Sequence, residues 1–309
     1  MASKGRDLYL ISPPTPFTGV QRARDQALYS VVGAPFDSTS SYRVGQRFAP
    51  VEIRLASSQL ESNGLYVEGD IDSVPVADEG DIAVVPGSQL LTLERIENVV
   101  AEIVGEGRVP VVIGGEHLVT LGVLRGFAKA GVRPCVAVLD AHLDLRGDYL
   151  GERYSHATVF RRAVEELSLK VFHLGVRAFD AEERSYADEV SLVEYITASR
   201  LEILGVDGAV VAFRRFASEC KHIYLSVDMD VYDPAYAPGV STPEPGGLTS
   251  KEGLALVSRL VDERFSGFDI VEVTPPYDPS GITSVLAAKT IQEIILASWA
   301  SRSRGGRAR

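Results

Sequence analysis

Cys135-Val136-Ala137-Val138-Leu139 runs straight into Asp140-Ala141-His142-Leu143-Asp144. The first half is a short continuous apolar run of the kind that forms a buried strand, and the second half is dense in side chains that bind cations. The pattern recurs twice. Val109–Ile113 leads into Gly114-Gly115-Glu116-His117, and Ile223–Val227 leads into Asp228-Met229-Asp230. Polar ligands at the ends of strands drawn from distant parts of a chain are how an α/β protein assembles a reaction centre.

Working outward, further apolar runs at Ser30–Gly33, Lys170–Leu174, Val190–Tyr195 and Asp269–Val273 read as strands. Leu91–Gly105, Val119–Ala130, Ala157–Leu167, Ser250–Phe265 and Ile282–Ala300 read as helices between them; in the first, Leu93, Ile96, Val100 and Ile103 keep the helical period. Strands that are apolar throughout, separated by helices, indicate a mainly parallel sheet covered on both faces. The expected fold is a three-layer α/β/α domain. It spans residues 26–300, with a peripheral Pro-rich extension over 1–25 and a disordered basic tail over 301–309.

The chain has 309 residues, 45% of them hydrophobic, enough for one large core. A formal net charge of -11 argues against nucleic acid as the main partner and favours cationic ligands. No apolar run approaches the ~20 residues of a membrane span, and the N-terminus lacks a signal-peptide core, so a soluble cytoplasmic protein is expected. Cys135 and Cys220 are the only cysteines, and separate buried thiols are expected.

Asp140, His142 and Asp144 alternate, as do Asp228 and Asp230, so a continued strand would send each set out on one face. With His117 they make four carboxylates and two imidazoles. No Cys joins them, which suits Mn²⁺ and other divalent ions rather than iron–sulfur chemistry or a structural zinc knot. Four ionised aspartates in one cleft repel one another; two divalent cations cancel that charge, and they lower the pKa of a shared water enough to make it a nucleophile. Taken singly, an Asp-x-Asp is a common turn feature and a lone His beside a strand is usually a core residue, the reading given to His173 and His222. Three such segments together carry the metal reading.

These motifs resemble the ureohydrolases (arginases, agmatinases, formimidoylglutamases and guanidinobutyrases), and within them the agmatinase branch. The resemblance spans Val31 to Ala297. It includes Gly33-Ala34-Pro35-Phe36-Asp37, Tyr42-Arg43-Val44-Gly45, Arg47-Phe48-Ala49-Pro50, Tyr154-Ser155-His156, the stretch Asp228 to Leu248, and Val271-Glu272-Val273-Thr274-Pro275-Pro276. It implies two manganese ions, one held by His117, Asp140, Asp144 and Asp228, the other by His142, Asp140, Asp228 and Asp230. Glu272 would pair with a guanidinium, His156 would shuttle a proton to the departing amine, and Thr242 would support the substrate. The implied reaction cleaves a small guanidino compound to urea and an amine. The implied assembly is a homo-oligomer, a trimer or hexamer.

The chain departs from the family pattern at Glu116 (often Asp), Leu118 (often Ser) and Val240-Ser241 (often Thr-Gly). The 145–156 segment lacks Asn, and its Asp148 and Glu152 suggest selection of a substrate ending in an ammonium. Arg146 and Arg153 suggest the opposite, a carboxylate. Agmatine is therefore the first expectation, ahead of N-aminopropylagmatine and guanidinobutyrate, with arginase and formimidoylglutamase activities behind these. A zinc deacetylase-like amidohydrolase would not need the full aspartate set, and a non-catalytic polyamine-binding relative would not need His156 and Glu272.

Overall fold

The computed structural model describes residues 5–18 and 21–306. Nine strands, β1 (Leu10–Ile11), β2 (Tyr29–Gly33), β3 (Val76–Ile82), β4 (Val109–Ile113), β5 (Cys135–Leu139), β6 (Val171–Val176), β7 (Val193–Thr197), β8 (Ile223–Asp228) and β9 (Phe265–Val271), form one sheet. Their order is β1-β3-β2-β4-β9-β8-β5-β6-β7. All pairs are parallel except the edge pair β1–β3. The helices are α1 (Gly5–Tyr9), α2 (Ala49–Ser57), α3 (Gln89–Gly105), α4 (Val119–Lys129), α5 (Val159–Leu167), α6 (Ala181–Glu189), α7 (Ala198–Phe216), α8 (Ser250–Leu260) and α9 (Ile282–Gly306).

Two apolar cores flank the sheet, and the strands feed them alternately. In β5, Cys135, Ala137 and Leu139 enter one core with α2, α7, α8 and α9. Val136 and Val138 enter the other with α3, α4 and α5. A strand buried on both faces needs apolar side chains at every position, which is why these runs do not alternate with polar residues. The expected three-layer α/β/α architecture is what the chain forms.

The strand order explains how the three motifs meet. After β4 the chain skips two places before laying down β5, and β8 and β9 later fill the gap. The four central strands β4, β9, β8 and β5 thus present their carboxyl ends side by side, the crevice where open α/β sheets bind ligands.

Several expectations are corrected. The helix expected over Ser250–Phe265 stops at Leu260, because Asp262 accepts from Arg264 N (2.9 Å) and pairs with its guanidinium, turning the chain into β9. The strand expected from Val190 starts at Val193, Val190 being the C-cap of α6. The N-terminal extension is not peripheral: β1 pairs with β3, Phe17 is fully buried, and Arg6 is buried against Glu79. The helical part of the tail is longer than expected, since α9 runs to Gly306 and Arg302 donates to Phe265 O (2.9 Å); residues 307–309 lie outside the described residues. Cys135 and Cys220 are joined in a disulfide with Cα atoms 6.0 Å apart. The two cysteines sit where adjacent strands β5 and β8 begin, with Cys135 N bonded to His222 O, so strand pairing itself brings them together. No helix of the described residues is long and apolar enough to cross a membrane.

Candidate metal centre

β5 ends at Leu139, so alternation within a continued strand is not what gathers Asp140, His142 and Asp144. The segment beyond it is irregular, and Asp144 has a left-handed φ of 51°. Backbone donors aim the carboxylates instead. Asp140 Oδ1 accepts from His142 N (2.6 Å), Asp228 Oδ1 from Asp230 N (2.8 Å), and Asp230 Oδ1 from Ala141 N (3.0 Å). Each aspartate spends one oxygen on the backbone and turns the other inward. The first two are short-range turn bonds of the kind aspartate favours after a strand, and the third ties the end of β8 to the end of β5.

His117 follows Gly114-Gly115, where a side chain at Gly115 would collide with the backbone of Phe36. Only glycine lets the β4 end approach the β2 loop so closely. His117 Nδ1 lies 3.1 Å from one carboxylate oxygen each of Asp140, Asp144 and Asp228. His142 Nδ1 lies 2.9 Å from Asp230 Oδ2 and 3.5 Å from Asp140 Oδ1. Asp140 thus belongs to two clusters of potential ligands, one with His117 and Asp144, the other with His142 and Asp230.

The donor set fits divalent cations. His117 Nδ1 and Asp140 Oδ2 are buried and have no hydrogen-bond partner among the described residues. Donors at right angles around an ion with bonds of ~2.1 Å sit about 3 Å apart, the spacing seen around His117. The other ring nitrogen of His117 faces Ser226 Oγ (3.0 Å), which donates to Asp269 Oδ1 (2.6 Å). Thr120 Oγ1 (2.8 Å) and Tyr224 Oη (2.6 Å) saturate Asp269 Oδ2. Such an arrangement orients a ligating imidazole and commits its far nitrogen as a donor. Ser226, Asp269, Thr120 and Tyr224 were not foreseen. Asp269 and Ser226 stand inside apolar strand runs, where a buried polar residue signals a partner.

Burial and neighbouring aspartates push Asp228 well up and Asp144 up to about 7. Burial works against charge on His117, but the three carboxylates outweigh it and raise that group. In the absence of cations the cluster therefore holds protons that metal binding must displace.

A cavity of roughly 290 Å³ opens over the cluster, lined among others by His142, Asp144, His156, Asp228, Asp230, Thr242 and Glu272. Glu272 is 4% exposed and has a left-handed φ of 65°, strained for a residue with a side chain. Its Oε1 accepts from His117 N (2.7 Å) and its Oε2 from Gln46 Nε2 (2.9 Å). Burial first, and Glu116 nearby, raise the Glu272 carboxyl to about 7. Burial lowers the His156 imidazole to about 4. Thr242 Oγ1 is 3.4 Å from Asp230 Oδ2. Arg177 pins the Thr242 loop, donating to the carbonyls of Asp230 (2.6 Å) and Glu244 (2.8 Å); it too was not foreseen.

Asp148 and Glu152 are not among the residues lining this cavity. Asp148 accepts from Gly151 N (3.3 Å) within its own turn, and Glu152 from Gln89 Nε2 (2.9 Å) at a neighbouring hollow. Other acids lining the cavity are Asp180, Glu183 and Glu244. Arg146 lines it as well, paired with Asp180 and, at 3.6 Å, with Glu183. Arg153 points outward to Glu165 and Glu166. Of the two histidines read as core residues, His173 is fully buried with Phe160 stacked edge-on (4.9 Å), and His222 bonds Ser266 (3.0 Å).

A paired cluster of aspartate and histidine donors at the carboxyl ends of a parallel sheet, under a polar cavity, defines the class: a metal-dependent α/β hydrolase. The arginase family model matches residues 27–297, and the chain belongs to that family of binuclear-metal ureohydrolases, which act on guanidino compounds. The chain is 38% identical over 275 residues to the agmatinase of Bacillus subtilis (strain 168), covering 88% of this chain and 91% of that protein. It is 36% identical over 271 residues to the proclavaminate amidinohydrolase of Streptomyces clavuligerus, covering 86% of each. The crystal structure of the agmatine ureohydrolase of Thermoplasma volcanium superposes with a TM-score of 0.83 at 36% identity, over 92% of this chain and 94% of that one.

Proposed function

We propose that this ureohydrolase cleaves agmatine to urea and putrescine, with two Mn²⁺ ions. One observation carries the reading: His117 Nδ1 stands 3.1 Å from oxygens of three aspartates, directly beneath a cavity lined by Glu272 and His156. His117, Asp140, Asp144 and Asp228 would hold the first ion. His142, Asp140, Asp228 and Asp230 would hold the second. When bound, the ions supply a water that is nucleophilic at neutral pH.

The chain's own groups do the rest. Each Glu272 oxygen already accepts one hydrogen bond and keeps a lone pair free, so the carboxylate can take two parallel N–H bonds from a guanidinium and fix the plane of the carbon under attack. Thr242, beside Asp230, offers its hydroxyl to the same end of the substrate. His156 is neutral at pH 7, so it can receive a proton during attack and hand it to the departing amine.

Support for an amine-ended substrate comes from the charged residues lining the rest of the cavity. Arg146, the lining residue that could meet a carboxylate, is already engaged by Asp180 and Glu183. Glu244 carries no charged or hydrogen-bonding partner on its side chain among the described residues and lines the same space. It takes over the selecting role expected of Asp148 and Glu152. Cytoplasmic location and a trimeric or hexameric assembly carry over as part of the proposal. The test is urea release after Mn²⁺ loading, with agmatine, N-aminopropylagmatine, guanidinobutyrate and arginine in parallel. Preference for a carboxylate-ended substrate sinks the substrate assignment, and no urea from any of them sinks the whole reading.

A further inference from the structure

We infer that Glu116 is a positioning residue that sets His156 through Thr39, an assignment that rests on the proton-shuttle role proposed for His156. Glu116 is fully buried and neighbours His117 in sequence, yet its side chain turns to the loop at residues 38–41. Its Oε1 accepts from Thr39 Oγ1 (2.6 Å); its Oε2 accepts from Thr39 N (2.8 Å) and Ser40 Oγ (3.2 Å). Three donors on one carboxylate hold this loop against the end of β4.

The consequence reaches His156 by counting protons. A threonine hydroxyl has one hydrogen, and the short bond to the ionised Glu116 carboxylate takes it. Thr39 Oγ1 can then face His156 only as an acceptor. It accepts from His156 N (3.0 Å) and lies 3.4 Å from Nδ1. Ser155 Oγ, 3.2 Å from Nδ1, accepts from Ala157 N (3.4 Å) and, with its own hydrogen turned away from the ring, accepts from Nδ1 as well. A neutral imidazole in this setting carries its hydrogen on Nδ1, which leaves Nε2 as the basic nitrogen. Nε2 is the atom near Ser41 Oγ (3.5 Å), and Ser41 and His156 both line the cavity. Glu116 thereby selects which nitrogen meets the reacting proton.

The residue at 116 has to be long for this. An aspartate would withdraw the carboxylate by one methylene from a loop whose backbone and hydroxyl it must both reach. The departure at Glu116 is thus tied to the loop rather than to the cation cluster.

The experiment uses the full chain, Mn²⁺-loaded. Thr39→Val keeps the shape, every proposed ligand and Glu116, and removes the hydroxyl; Thr39→Ser restores it. We expect Thr39→Val to lower kcat by roughly 10- to 100-fold, part of what general acid–base catalysis contributes. KM and the metal content should stay near wild type, and Thr39→Ser should recover kcat to within about threefold. Glu116→Asp should behave like a weaker Thr39→Val. The second readout is independent of turnover and uses the full chain loaded with diamagnetic Zn²⁺, because Mn²⁺ broadens nearby resonances: with ¹⁵N-labelled histidine, and His156 assigned by His156→Gln, wild type should show the Nδ1–H form and Thr39→Val should lose it. An unchanged His156 tautomer and kcat in Thr39→Val overturns the inference, as does loss of metal in the Glu116 variants at equal kcat per bound metal. If wild type releases no urea from any guanidine, the functional reading fails, while the tautomer shift still reports on Glu116 and Thr39.

Discussion

Replacing Glu272 by Gln isolates the guanidinium contact from the metal centre, since Glu272 is in neither cluster of ligands. The wild-type carboxylate accepts His117 N–H on one oxygen and the Gln46 amide on the other, with a lone pair left on each for the substrate. A glutamine has one oxygen and one NH₂; with the oxygen kept on His117 N–H, the NH₂ faces Gln46, whose amide must turn to present Oε1. The variant loses the charge and one of two acceptors. Hydrogen bonds to a charged group contribute about 1.5–3 kcal/mol each, so the expected loss is about 3–5 kcal/mol, or roughly two to four powers of ten in kcat/KM. The assay is urea release at saturating Mn²⁺ with bound metal measured on the same sample. A pH series adds the sign: burial holds the Glu272 carboxyl up at about 7, and only the ionised form pairs with a guanidinium. Wild-type kcat/KM should therefore rise as pH increases through that range, and the variant should lack this limb. A loss below about threefold, or a loss matched by missing metal, refutes the reasoning.

Three further outcomes follow from the same structure. Because Asp144 is pushed up to about 7 and Asp228 is also pushed well up, cations must displace protons, so metal occupancy after dialysis should fall as pH drops through about 7; constant occupancy contradicts this. Glu244→Gln should raise KM for agmatine by roughly 10- to 150-fold, the effect of one charged hydrogen bond of about 1.5–3 kcal/mol, and leave guanidinobutyrate unaffected; parallel changes on both substrates remove Glu244 from selection. The Cys135–Cys220 bridge spans a sequence separation of 85 residues, for which loop entropy gives about 4–5 kcal/mol. Cys135→Ser should lower Tm by several degrees, and wild type in reductant should fall to match; equal Tm values in all three samples exclude a stabilising bridge.

The sheet was legible where strands are buried on both faces, because β4, β5, β8 and β9 contain few polar residues to blur the pattern. β3 was not, and its reason is specific. Val76–Ile82 contains Asp78, Glu79 and Asp81, which reads as a solvated loop. Those charges are matched from distant segments: fully buried Arg54 holds Asp78 with two bonds (2.7 and 2.9 Å) and Asp81 with a third (2.5 Å), while Arg6 covers Glu79 (2.9 Å). Partners that far away in sequence leave no local trace. α7 was hidden differently, since Gly205 sits inside it with a non-helical backbone and breaks the apolar period.

The site divides along the same line. Its metal half follows strand ends, where Asp140 and Asp228 are each aimed by the amide two residues on, so spacing alone could expose it. Its substrate half is built from loops, and there charge counting by sequence misled. Asp148 and Glu152 are acidic and near the motif, but a turn amide and Gln89 occupy them. Arg146 is basic and lines the cavity, but Asp180 and Glu183 occupy it. What reaches a substrate is the charge left after such pairs cancel. In this cavity Asp180 and Glu183 outnumber Arg146, and Glu244 adds a further carboxylate, held in place by Arg177 through its backbone carbonyl and not through its carboxylate. A residue anchored by its main chain with its charge left over is what a cation-binding end requires, and that makes the amine-ended substrate the better match.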